Sequence, residues 1–257
     1  MPSRSPTRFF LLVTALSIPW WIMGAFVHIG GLPQNLPVSD LILTFMPMTA
    51  ALMLVRRSDP PGGVWRLVRR AVDARQIRHR WWLLPILLVM PLLYLLTYEG
   101  MRLTGKPLPL DAGIQLGTAV PLALGFFVAA AGEELGYMGY IFDPMEQRWG
   151  TWRASLLIGG YWAVWHYPSS IVRGDSLSWL AWGTLGTIGM RCLIIRVYRS
   201  TGRSVFAAIC FHVMANLGKT RFPGGIRYYD PMIGYGLIAM AGLVALMSGG
   251  RVQGEQQ

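Results

Sequence analysis

Leu122-Ala-Leu-Gly-Phe-Phe-Val-Ala-Ala-Ala-Gly-Glu133-Glu134-Leu-Gly-Tyr137 is a run of apolar and small residues broken only by two adjacent carboxylates. A block this long and this apolar reads as part of a membrane-crossing helix. A charged side chain near the bilayer centre costs about 2.5–3.5 kcal/mol even on insertion scales, so two neighbouring glutamates there mark a functional site.

The rest of the chain fits that reading. Of its 257 residues 53% are hydrophobic and 14% charged, with a mean hydropathy of +0.42. The apolar residues fall in long blocks rather than on amphipathic faces, which predicts an all-α, polytopic membrane protein with its site in the core of a helix bundle. About eight segments stand out: Phe9 to Ile29, Val38 to Val55, Trp81 to Glu99, Gly113 to Phe142, Trp152 to His166, Leu177 to Val197, Ser204 to Leu217 and Pro231 to Ser248. The first is expected to be a retained helix rather than a cleaved signal peptide, because it is long, carries Trp20 and Trp21 and meets no small-x-small cleavage pattern. Three regions follow: N-terminal helices with a basic loop (1–112), a core bearing the polar residues (113–217), and a last helix with its tail (218–257).

A net charge of +11 could point to nucleic acid, but the basic residues gather between the apolar blocks, so no nucleic-acid partner is expected. With the N-terminus inside, alternation puts Arg4, Arg8, eight arginines from Arg56 to Arg80, Arg148, Arg153, four from Arg191 to Arg203 and Arg251 on the inner side. Arg102, Lys106, Arg173, Lys219, Arg221 and Arg227 fall outside. This asymmetry predicts a multi-pass protein of the cytoplasmic membrane with both termini in the cytoplasm. Lysines are confined to Lys106 and Lys219 against many arginines, which fits a bacterium with a GC-rich genome. The loop from Arg56 to Arg80 is expected to anchor to anionic headgroups, with a turn at Ser58-Asp-Pro-Pro-Gly-Gly and a short interfacial helix near Val64 to Val72. Cys192 and Cys210 lack disulfide or zinc-finger spacing and read as buried small side chains.

Intramembrane polar chemistry is confined to three segments. Besides Glu133 and Glu134, they carry Trp162 and His166 in Tyr161-Trp-Ala-Val-Trp-His, and His212 and Asn216 in His212-Val-Met-Ala-Asn216. Each of the latter pairs is spaced four apart and shares a helical face. At 1.5 Å rise per residue, Glu133 lies roughly 15 Å from its inner helix end, His166 roughly 20 Å and His212 roughly 12 Å, so all three reach mid-depth. Carboxylate as base, imidazole as ligand or charge stabiliser, and amide as oxyanion donor together suit hydrolysis of an acyl bond. Glu133, His166 and His212 with one open position would also suit catalytic Zn2+. The tryptophans read as packing residues, with Trp162 a wall of any cavity, and Gly132, Gly136 and Gly139 as points of close helix approach.

On these residues the chain resembles the CAAX protease and bacteriocin-processing family of intramembrane endopeptidases, which includes the type II CAAX prenyl proteases. Glu133-Glu134 matches its Glu-Glu-x-x-x-Arg motif, Trp162 to His166 its aromatic-x-x-x-His motif, and His212 to Asn216 its His-x-x-x-Asn motif. The resemblance implies an endopeptidase cutting a membrane-anchored peptide or protein near the cytoplasmic side. Glu133 would then be the base or a metal-proximal carboxylate and Glu134 its partner. His166 would activate water or bind metal, with His212 and Asn216 as ligand and oxyanion donor. Both metal-dependent and metal-free glutamate mechanisms are argued for the family. In this sequence the motif arginine is Met138. Either another cation such as Arg191 substitutes in space, or Glu134 is protonated, or the site is degenerate. The last would leave a non-catalytic scaffold or immunity-type protein, and a proton or cation transporter is a further alternative.

Overall fold

A computed structural model describes residues 4–27, 38–108 and 116–249. These are helical, with no strand among them: α1 (Pro6–Phe26), α2 (Val38–Leu43), α3 (Met46–Ser58), α4 (Gly63–Val68), α5 (Leu83–Leu103), α6 (Ala119–Gly136), α7 (Phe142–Trp165), α8 (Tyr167–Val172), α9 (Leu177–Ser200), α10 (Val205–Thr220) and α11 (Pro231–Gly249). The expected segment ends at Ile29 and Gly113, together with His28 and Arg251, lie outside the described residues.

Six stretches are long and apolar enough to cross a membrane. One is a 54-residue run, Ala119–Val172, that contains a reversal: Gly150 has φ 76° and ψ 164°, a conformation open to glycine, and splits α7 into an arm after α6 and a return helix ending at Trp165. The shorter apolar α10 packs inside, against α5, α6 and α9. The polytopic all-α class holds, while the number of passes is only approximately eight.

Alternation of these helices gives the bundle two ends. At one end, Arg4 pairs with Asp59 and donates to the Tyr140 carbonyl, Arg70 donates to the Gly139 carbonyl and the Tyr198 hydroxyl, and Arg203 pairs with Asp143 and Glu146. The basic loop lies here, with α4 and a 3-10 turn at Arg69–Ala71 forming the short helix expected there. At the other end, Asp40 accepts from Ser169 and Arg173, and Lys106 pairs with Asp230. The start of α1 and the end of α11 lie at the arginine-rich end, so an even number of crossings separates them. Arg191 is an exception to the charge pattern: it is not in the loop region but fully buried within the bundle.

Close helix approach is built from glycine. An added Cβ at Gly132 would fall 2.6 Å from the Thr44 carbonyl oxygen, and one at Gly136 2.6 Å from the Pro47 carbonyl. The start of α3 therefore packs directly on the α6 backbone, one turn apart and on both sides of the glutamates. Gly189 of α9 likewise meets the backbone of Ala239 in α11, the most extensive helix pair among the described residues.

Candidate active site

The two glutamates lie in the last turn of α6, immediately before a π-helical turn over Tyr137–Ile141. Such turns insert an extra residue per turn and re-aim the side chains around them. Glu134 is fully buried, and Glu133 is 5% exposed.

Their partners differ. Glu134 accepts a hydrogen bond on each oxygen: Oε2 from Arg191 Nη1 at 2.6 Å, Oε1 from His212 Nδ1 at 2.9 Å. Glu133 Oε2 accepts from the indole Nε1 of Trp162 at 2.6 Å. The missing motif arginine is thus replaced in space: α9, packed on α7, carries Arg191 to Glu134, while Met138 is a buried apolar residue. The guanidinium lies over the rings of Trp162 at 4.1 Å and Tyr137 at 4.7 Å, which cover its faces where Nε and Nη2 find no hydrogen-bond acceptor. A buried ion pair of this kind is costly to desolvate and costlier to break from one side.

His166 packs against the Trp162 ring. Its Nδ1 lies 2.7 Å from the Trp162 carbonyl, which can only accept, so Nδ1 carries the proton and Nε2 is the ring's free nitrogen. By the same argument His212 donates Nδ1–H to the Glu134 carboxylate and keeps Nε2 free. The Trp162 ring is 5.6 Å from the His166 ring and 5.3 Å from that of His212, so the indole packs against both histidines while bonding the first glutamate. The expectation that Trp162 only packs and walls a cavity thus misses its donor role. An indole N–H four residues before His166, in a helix facing two carboxylates, is the signal that could have found it.

His166, Asn216 and Trp162 line a cavity of about 160 Å³. It runs from the level of Met190 along α9 to Trp179, and along α10 to Lys219, which places its mouth at the end of the bundle away from the arginine-rich loop. Its walls mix aromatic rings (Tyr94, Trp179, Tyr235) with few charges. The sequence-predicted residues therefore form two groups, both touched by Trp162: Glu133, Glu134 and His212 buried together, His166 and Asn216 on the cavity.

The donor set matters for zinc. Among the described residues no group of three or more His, Cys, Asp or Glu lies close enough together to hold a metal ion. Glu134 is held on both oxygens, by Arg191 and His212, while Glu133 accepts from Trp162 on Oε2 alone. In this arrangement Glu133, His166 and His212 do not present the three-ligand set that catalytic zinc requires.

Residues 115–218 match the family model described as type II CAAX prenyl endopeptidase Rce1-like. The chain is also 22% identical over 230 residues to CAAX prenyl protease 2 of Methanococcus maripaludis, covering 84% of each chain. The matched region holds all three motif segments and the cluster built from them. Through residues 115–218 this multi-pass membrane protein is similar to the Rce1-like, type II CAAX prenyl endopeptidase family.

Proposed function

We propose that the protein hydrolyses a peptide bond of a membrane-associated peptide or protein, with Glu133 as the general base. The observation that carries this reading is the division of labour between the adjacent carboxylates. Glu134 is consumed by structure, held by Arg191 and His212, whereas Glu133 has a single donor, the Trp162 indole, whose ring also walls the cavity.

In this scheme Glu134 fixes the His212 tautomer, leaving Nε2 to accept a hydrogen bond from the attacking water. Glu133 takes that water's proton as oxygen adds to the scissile carbonyl, and returns it to the leaving amine. Asn216, on the cavity wall one turn beyond His212, donates its amide N–H to the oxyanion. Removing a single donor of that kind costs about 10²–10³ in kcat, so Asn216→Ala is expected to fall in that range. His166, with its free Nε2 on the cavity, orients the peptide or water.

The name of the archaeal relative makes a prenylated CAAX-type tail the first substrate class to try. We place the termini and the arginine-rich end in the cytoplasm on the basis of the positive-inside asymmetry. The cavity mouth then faces the other side, which moves the expected site of substrate entry away from the cytoplasmic face.

A comparison of membrane-peptide termini between wild-type cells and a Glu133→Gln strain tests the activity: cleavage products present in the first and lost in the second are expected. Identical termini in both, with the variant folded and inserted, would remove the protease reading. Metal analysis of the active purified protein, with chelator treatment, separates the chemical routes. Retention of activity without stoichiometric metal is expected, and metal-dependent activity would return Glu133, His166 and His212 to the role of zinc ligands.

A further inference from the structure

A second cavity, of about 380 Å³, opens at the arginine-rich end, beside Gly139 of the π turn. Its rim carries three guanidinium groups, Arg4, Arg66 and Arg70, and one carboxylate, Asp59; Val55 and Leu67 form apolar wall. Arg4 is paired with Asp59. Arg66 turns back only onto the Pro60 and Pro61 carbonyls, and Arg70 onto the Gly139 carbonyl, the Tyr198 hydroxyl and the Arg203 carbonyl. These acceptors are neutral, and among the described residues no Asp or Glu forms an ion pair with either arginine. Two positive charges therefore remain uncompensated around one cavity.

We infer that this cavity binds a phosphate group, presented by the headgroup of an anionic lipid. Arginine forks match phosphate oxygens bidentately. Basic pockets between membrane helices at the interface are suited to such headgroups. The neighbouring α4 supplies the interfacial setting: Trp65 is 68% exposed beside Arg66, and Val64 is also exposed, so the helix has apolar side chains to lay into the acyl boundary while the headgroup sits over Val55 and Leu67. Arg70 connects the cavity to the Gly139 carbonyl, within the π turn that follows the two glutamates. The site uses no residue of the proposed chemistry, so its test is independent of peptidase activity.

The experiment is thermal unfolding and native mass spectrometry of the full chain in detergent, with phosphatidylglycerol, phosphatidylcholine or inorganic phosphate added. Phosphatidylglycerol is expected to raise Tm by about 4 °C and to remain bound in the gas phase, with phosphatidylcholine giving neither. Arg66→Gln, an exposed change, should lose at least half of the shift. Arg66→Lys should keep part of it, and Arg57→Gln, which alters net charge equally outside the cavity, should keep all of it. An equal shift from phosphatidylcholine, or equal losses in Arg66→Gln and Arg57→Gln, would overturn the site. An undiminished shift from inorganic phosphate with none from phosphatidylglycerol would overturn the lipid as its source.

Discussion

At the scale of single residues, the informative event is a relocation of charge. The family motif places a cation four residues after the second glutamate on the same helix; here that position is the buried Met138, and the cation comes from α9 as Arg191. The sequence can name Arg191 as one of several ways to compensate Glu134, since few other charges lie inside apolar blocks. It cannot choose between them, because the choice depends on how α9 packs across α7. Removing one partner of a buried pair costs about 3–5 kcal/mol, so Arg191→Met is expected to lower Tm sharply and to abolish activity. Adding Met138→Arg to that variant should recover part of both, measured by thermal unfolding beside a cleavage assay; a single Arg191→Met variant as stable as wild type would show that the pair is dispensable. Trp162 supports a second prediction. Trp162→Phe keeps a ring against the histidines but deletes the donor to Glu133, a charge-assisted bond worth about 1.5–3 kcal/mol. Roughly a 10–100-fold fall in kcat with little change in KM is expected, and a change confined to KM would assign the indole to substrate contact instead.

At the scale of elements, α6 shows why the glutamates can be held at all. Both lie in a last turn pinned by backbone contact with α3 at Gly132 and Gly136, then re-aimed by the π turn. The apolar block and the role of its glycines were legible in the sequence, because period and composition carry them. The π turn was not: Tyr137-Met-Gly-Tyr-Ile has no local pattern that separates it from ordinary helix. Nor was the reversal at Gly150, since a lone glycine in a polar stretch fits many turns. Gly136→Ala would drive a methyl group into the Pro47 carbonyl and must displace α3 or α6, at about 1–3 kcal/mol. The expected result is a protein that still inserts but has lowered Tm and disproportionately reduced activity, because the shift is applied one turn from Glu133. Gly160→Ala, with open space at its Cβ position, is the matched control and should leave both nearly unchanged.

At the scale of the molecule, the two ends of the bundle have different character, and the proposed chemistry is joined to one of them. Arg4, Arg66, Arg70 and Arg203 crowd the end where the first and last described helices begin and finish, while the cavity beside His166 and Asn216 runs to the end marked by Arg173 and Lys219. Hydropathy and charge could give the alternation and the gathering of arginines at one end, since both are sums over whole segments. The direction in which the cavity opens depends on gaps between six helices and lay beyond such sums. The positive-inside asymmetry and the cavity together make one prediction that either could fail. In a background with Cys192→Ala and Cys210→Ala, a membrane-impermeant thiol reagent applied to intact cells is expected to label Arg227→Cys and to leave Arg57→Cys unlabelled until the membrane is permeabilised. Both are exposed positions at opposite ends, so the comparison reads orientation rather than access. The reverse pattern would place the arginine-rich end outside and bring the cavity mouth to the cytoplasm, where a cytosolic tail could enter it directly.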